Sequence, residues 1–168
     1  MAGLAGIILG ETLLSPEHEV LYSGSMAVAH CISIGDRQAC TFNYDFSIGN
    51  TGKQEQESLR IVWPLDMQDW GVGTHVSDII ASARKTQEPR IRREFESGKT
   101  IYAISALMPN TMVLFQVRCL MCTPAELHAM QQARVTVEAR GAVSEADPRV
   151  SALSHGAMNL LRVFGLFN

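Results

Sequence analysis

The stretch 100-TIYAISALMPNTMVLFQVRCLMC-122 decides how this chain is read, and 123-TPAE-126 follows it directly. Residues 100–108 and 112–121 are apolar and rich in β-branched and aromatic side chains, and Pro109-Asn110-Thr111 between them has turn chemistry. The pattern predicts a β-hairpin that feeds into a helix. Only Ser105, Gln116 and Arg118 interrupt the two runs, so both strands are expected to be central and covered on two faces. Thr123-Pro124-Ala125-Glu126 is a capping box with proline at the first helical position, and it predicts a helix through Gln132.

Upstream, residues 19–34 alternate weakly and read as one long strand, with Gly24 marking a bulge or a close approach. Gly35-Asp36-Arg37 supplies a turn. Residues 38–48 then put Cys40, Phe42, Tyr44 and Phe46 on one face and Thr41, Asn43, Asp45 and Ser47 on the other, which predicts a strand with one wet side, paired antiparallel to the first. Residues 49–58 are polar and read as a mobile loop. Residues 59–63 form a short strand ended by Pro64, and Trp63 and Trp70 are expected to pin this crossing to the core. Thr74 or Ser77 is placed to cap a helix through Lys85. Pro89 opens a second helix over 90–97, with Ile91 and Phe95 spaced i, i+4 and Gly98 at its C-terminal cap.

Downstream, residues 133–143 alternate Val135, Val137 and Ala139 with polar residues, as a half-buried strand does. A loop follows over 145–148, and the tail sets Leu153, Leu160, Leu161, Phe164 and Phe167 near one helical face. Together these elements predict an α+β domain, a mostly antiparallel β-sheet or flattened barrel with three to four short helices. The chain reads as one domain over 1–168, with 1–14 a docking arm and 150–168 an apolar C-terminal segment. With 168 residues it is long enough to bury a core without a metal or disulfide.

The net charge of −3 excludes a protein whose whole surface coats nucleic acid, but the charge is unevenly spread. No Lys or Arg precedes Arg37, whereas six of the fourteen basic residues (Arg84, Lys85, Arg90, Arg92, Arg93 and Lys99) fall in one short segment. Interleaved Glu88, Glu94 and Glu96 allow a solvated face with internal ion pairs. The competing reading is an anion-facing patch for RNA phosphates or acidic lipid headgroups. No aromatic side chains are interleaved for base stacking, so backbone contact is the form such binding would take.

Chemistry-bearing motifs are sparse. Cys119-Leu120-Met121-Cys122 is a CxxC, and with Cys31 and Cys40 a four-thiolate zinc site is conceivable. In an extended strand, however, residues three apart face opposite ways, which favours buried structural thiols and a reducing, cytoplasmic location. Gly49-Asn50-Thr51-Gly52-Lys53 departs from a phosphate loop at Ser47 and Gln54. The histidines His18, His30, His75, His128 and His155 show no ligand spacing, and no nucleophile elbow is present. No catalytic residue, metal or cofactor is therefore assigned.

The apolar termini carry the functional reading. Leu4, Ile7, Ile8, Leu9, Leu13 and Leu14, with Leu160, Leu161, Phe164 and Phe167, would aggregate if left uncovered and suit self-association. The expectation is a non-enzymatic, self-associating structural protein of viral coat or matrix type, located in the virion if viral, with the basic patch meeting RNA or anionic membrane. The alternative is a small β-barrel binding or turning over an apolar small-molecule ligand within its doubly apolar strands.

Overall fold

Period-two alternation dominates the computed structural model, which describes residues 17–78 and 88–146. Nine strands and one helix are formed by these residues: β1 (Glu19–Ile34), β2 (Arg37–Asn50), β3 (Gln56–Trp63), β4 (Gly71–Asp78), β5 (Ile91–Glu96), β6 (Lys99–Leu107), β7 (Thr111–Cys122), α1 (Pro124–Gln132), β8 (Thr136–Glu138) and β9 (Ala142–Glu145). They make two sheets, one of order β4-β7-β2-β1-β9 and one of order β5-β6-β3-β8. All strand pairs are antiparallel except β1 with β9. The fold is thus a mostly β sandwich. The α+β reading with three to four helices is wrong, because Thr74 and Ser77 lie on strand β4 and residues 91–96 are strand β5.

β6 and β7 do not pair with each other. β6 sits between β5 and β3, β7 sits between β4 and β2, and the Pro109-Asn110 turn carries the chain from one sheet to the other. Asn110 adopts φ 60°, and its amide donates to the Asn50 carbonyl at 2.8 Å, which fixes that crossing. The two strands meet through their inward faces instead: the Tyr102 and Phe115 rings lie 5.0 Å apart. Each is central in its own sheet, but Ser105 and Arg118 are exposed, so neither strand is covered along both faces.

The core is filled where the two inward faces interleave. Trp63, Phe42, Phe46, Phe115, Ile48, Leu59, Ile61 and Met67 are fully buried, and Trp63 packs edge-on against Tyr44 and Phe46 at 5.5 and 5.3 Å. Trp70 meets Phe42 at 5.2 Å, so both tryptophans anchor the β3–β4 crossing as the sequence suggested. The alternation of β2 also holds, with Cys40, Phe42, Phe46 and Ile48 buried inward.

Three segments depart from expectation. Residues 51–55 after β2 lack an apolar anchor but are tied down by hydrogen bonds. Asn50, fully buried, donates to the carbonyls of Gln54 and Leu107 and accepts from the Gly52 amide. Thr51, Gly52 and Gln54 amides in turn donate to Glu19 and Glu17 carbonyls. The run 133–143 is not one strand: β8 joins the four-stranded sheet, Gly141 turns the chain at φ 83°, and β9 joins the other. The predicted helix over 90–97 is absent because Ser97 (φ 49°) and Gly98 (φ 75°) form a two-residue hairpin turn between β5 and β6, not a helix cap.

The capping box of α1 is formed as read. The Glu126 amide donates to Thr123 Oγ1 at 3.2 Å, and the Thr123 amide donates to Glu126 Oε2 at 2.7 Å. Thr123→Ala is expected to cost about 1 kcal/mol in chemical denaturation, through loss of this cap. The segments 1–14 and 150–168, together with Arg84 and Lys85, lie outside the described residues.

Candidate functional site

Strand geometry splits the basic segment. Along β5 successive side chains face opposite ways, so Arg92 points to the outer face of the four-stranded sheet and Arg93 to the other side. Arg93 stands 5.1 Å from the centroid of the Phe95 ring, two residues along the same face. Arg92 and Arg90 instead line a shallow outer groove of about 550 Å³ with Arg60, Ser58, Ile91, Glu94, Ala103, Ile104 and Ser105. Arg60 is the residue that sequence reading missed. It lies thirty positions from Arg90 on β3, and only the register Arg60↔Ala103 beside Arg92↔Ala103 brings it there.

Carboxylates neutralise most of this groove. Glu94 accepts from Arg92 Nε and Nη2 at 2.6 and 2.5 Å, and Glu138 accepts from Arg60 Nη1 at 2.9 Å. Lys99 is the register partner of Glu96 at the hairpin end. Among the described residues Arg90 has no carboxylate within ion-pair distance. Its carbonyl accepts from the Ser105 amide at 3.1 Å, which holds the backbone leading into β5 against β6. Among the described residues the face is a charge-mixed surface in which Arg90 is the guanidinium left without a carboxylate.

The other concentrated surface feature is apolar. The β1–β2 hairpin runs past the sandwich, so that every residue from 27 to 38 is exposed. Val28, Ile32 and Ile34 alternate along one face of it and are 51%, 52% and 53% exposed. These residues are register partners of Asn43, Ala39 and Arg37, on the opposite face from the buried Cys40 and Phe42. Leu120 and Met121, the most exposed large apolar side chains at 69% and 72%, sit close by, because Thr41 Oγ1 of β2 donates to the Leu120 carbonyl at 2.8 Å. No sequence pattern flagged this cluster, since exposure at Val28 or Ile32 depends on the hairpin projecting beyond its partner sheet.

The cysteines gather at the same end. Cys31 and Cys40 are register partners across β1 and β2 and are disulfide-bonded, with Cα atoms 4.0 Å apart. Cys119 and Cys122 form a second disulfide, with Cα atoms 5.9 Å apart. Residues three apart do not face opposite ways at this point. Cys40 pairs with Cys122 and Phe42 with Cys119, so two steps on β2 match three on β7, and this bulge turns both thiols inward. Cys40, Cys119 and Cys122 are buried as read, whereas Cys31 is exposed. Among the described residues no group of three His, Cys, Asp or Glu side chains is arranged to hold a metal ion.

Three phenols titrate above their ordinary value of 10.0. Burial raises Tyr44 and Tyr22, with the Glu145 carboxylate adding to both; burial raises Tyr102 too, partly offset by the Arg93 guanidinium. Because the folded values exceed the unfolded one, this contribution to stability is complete below pH 10 and is lost as pH rises from there through the folded values. Denaturation midpoints are expected to fall above pH 10, and less steeply in Tyr44→Phe.

A second groove of about 300 Å³ is lined by Glu17, His18, Gln54, Glu55, Glu57 and Arg140. Its residues are mixed in charge and supply no nucleophile with an adjacent base. No helix among the described residues is long and apolar enough to cross a membrane. The chain matches no model of a known protein family, and no curated protein is similar enough in sequence to count as a relative.

Proposed function

We propose that this protein is a non-enzymatic structural subunit that self-associates, as coat or matrix proteins do, through the projecting β1–β2 hairpin. The observation that carries the reading is the exposed cluster of Val28, Ile32, Ile34, Leu120 and Met121. Five large apolar side chains gathered at one end of a sandwich are costly to leave in water, each being worth roughly 1.5–3 kcal/mol when fully buried. A second copy offering the same surface would cover them in a two-fold arrangement. The apolar sequence segments 1–14 and 150–168 add further material for such contacts. The ligand-binding alternative finds less support, since the space between the sheets is occupied by Trp63, Phe42, Phe46 and Phe115.

Replacing Ile32 and Leu120 together by Lys is expected to reduce the assembled species to monomer in sedimentation velocity, with the melting temperature unchanged. A variant that sediments like the wild type would remove the hairpin from the interface.

A polyanion, either an RNA backbone or acidic lipid headgroups, is the partner proposed for the outer face of the four-stranded sheet. Arg60, Arg90 and Arg92 supply its charge, and the carboxylates of Glu94 and Glu138 keep the affinity low. Arg90→Gln with Arg92→Gln is expected to weaken binding to RNA or anionic liposomes and to lower the logarithmic salt slope by roughly one unit for each guanidinium removed. Arg93→Gln, on the opposite face, is expected to leave both unchanged.

A further inference from the structure

Cys31 on β1, Cys40 on β2 and Cys122 on β7 form a row of register partners across three adjacent strands, and Cys119, opposite Phe42, lies three residues away from Cys122 on the same face of β7. Directly opposed residues of antiparallel strands have Cα atoms about 4.5–5.5 Å apart, which puts Cys122 about as near to Cys40 as Cys40 is to Cys31. Cys40 therefore has two potential partners, one on each side. Access differs sharply along the row. Cys31 is exposed on the projecting hairpin, whereas Cys40, Cys122 and Cys119 are 0%, 2% and 8% exposed.

We infer that the row is a thiol–disulfide relay in which Cys31 exchanges with an external disulfide and Cys40 passes the oxidation inward to the Cys119–Cys122 pair. Starting from four thiols, the Cys31 thiolate attacks a small-molecule disulfide, forming a mixed disulfide and releasing one thiolate of the oxidant. Cys40 attacks the Cys31 sulfur, forming Cys31–Cys40 and releasing the second. Cys122 attacks the Cys40 sulfur, forming Cys40–Cys122 and expelling the Cys31 thiolate. Cys119 attacks the Cys122 sulfur, forming Cys119–Cys122 and returning Cys40 as a thiol.

Two electrons have then passed from the inner pair to the oxidant, whose two thiolates take up the protons that Cys119 and Cys122 released. A second oxidant molecule regenerates Cys31–Cys40, giving the two disulfides of the structure. The exchange that expels Cys31 is favoured because its leaving thiolate is solvated. The β7 bulge is what makes the relay continuous, since without it Cys119 would face away from Cys122.

The test uses the reduced full-length protein with glutathione disulfide under anaerobic conditions, quenched by alkylation at intervals and mapped by peptide mass. In the wild type, Cys31–Cys40 is expected to appear before Cys119–Cys122. Cys31→Ser, at an exposed position, is expected to slow formation of Cys119–Cys122 by at least about tenfold. Cys119→Ser is expected to accumulate a Cys40–Cys122 disulfide with Cys31 free. Near-UV circular dichroism shows that each variant is folded. Oxidation of Cys119–Cys122 at the wild-type rate in Cys31→Ser, or absence of Cys40–Cys122 in folded Cys119→Ser, would overturn the relay.

Discussion

Gly141→Ala is expected to lower the stability of the fold by about 3 kcal/mol, with the linear denaturant dependence otherwise unchanged. Two effects combine at this position. Gly141 holds φ 83°, which an L side chain adopts only with strain, and a Cβ added there would overlap the His18 carbonyl and its Cβ. The His18 carbonyl is not free to move, because it accepts from the Ala142 amide at 3.1 Å where β1 and β9 begin their parallel pairing. Relief of the clash must therefore pull β1 away from β9 or from the Gly52 loop, which grips Glu17 and Glu19 on the other side. Gly98→Ala provides the comparison. Gly98 has φ 75° but nothing within contact distance of an added Cβ, so it should cost only the backbone strain, about 1 kcal/mol. Equal destabilisation at the two positions would mean that the His18 overlap contributes nothing.

Trp63→Ala is expected to cost about 3–5 kcal/mol, the usual range for truncating a large buried aromatic. Trp63 is fully buried at the centre of the sandwich, against Tyr44 and Phe46 of the facing sheet, so truncation leaves a large cavity between the two layers. Trp63→Phe should behave very differently. The indole Nε1 is buried without a hydrogen-bond acceptor among the described residues, and phenylalanine removes that orphaned donor along with some volume. The smaller ring is expected to cost about 1 kcal/mol. A Trp63→Phe cost as large as that of Trp63→Ala would show that shape complementarity around the indole outweighs relief of the donor.

The sequence was most legible where one strand has one wet face. Cys40, Phe42, Tyr44 and Phe46 announce β2 with its correct inward face, and Thr123-Pro124-Ala125-Glu126 announces α1, because both signals are local. Pairing is not local. The runs that became β6 and β7 look like a hairpin because hydrophobic alternation specifies a buried face and says nothing about which sheet that face belongs to. Pro109-Asn110-Thr111 suits a sheet-to-sheet crossing as well as a hairpin turn. β5 was misread because Ile91 and Phe95 are compatible with helical spacing, and Arg and Glu are good helix formers. Tertiary pairing with β6 overrides that preference.

The same choice of period governs the candidate sites. As a helix, residues 90–97 would make neighbours of Arg90 and Arg93 and turn Arg92 away; as a strand it is Arg90 and Arg92 that share a face, and Arg60 from β3 completes the outer groove. The cysteine row was hidden for a related reason, since a single inserted residue in β7 reverses the direction predicted for Cys119. The apolar hairpin cluster was hidden because its residues look like ordinary strand interior until their partner sheet is seen to end.

Self-association through the exposed hairpin stands or falls on the mass of the wild-type protein in solution. Multi-angle light scattering over a range of protein concentrations, at low salt, is expected to report at least a dimer, with the average mass rising with concentration. A mass that stays at the 18.4 kDa of one chain up to the highest concentration would refute self-association.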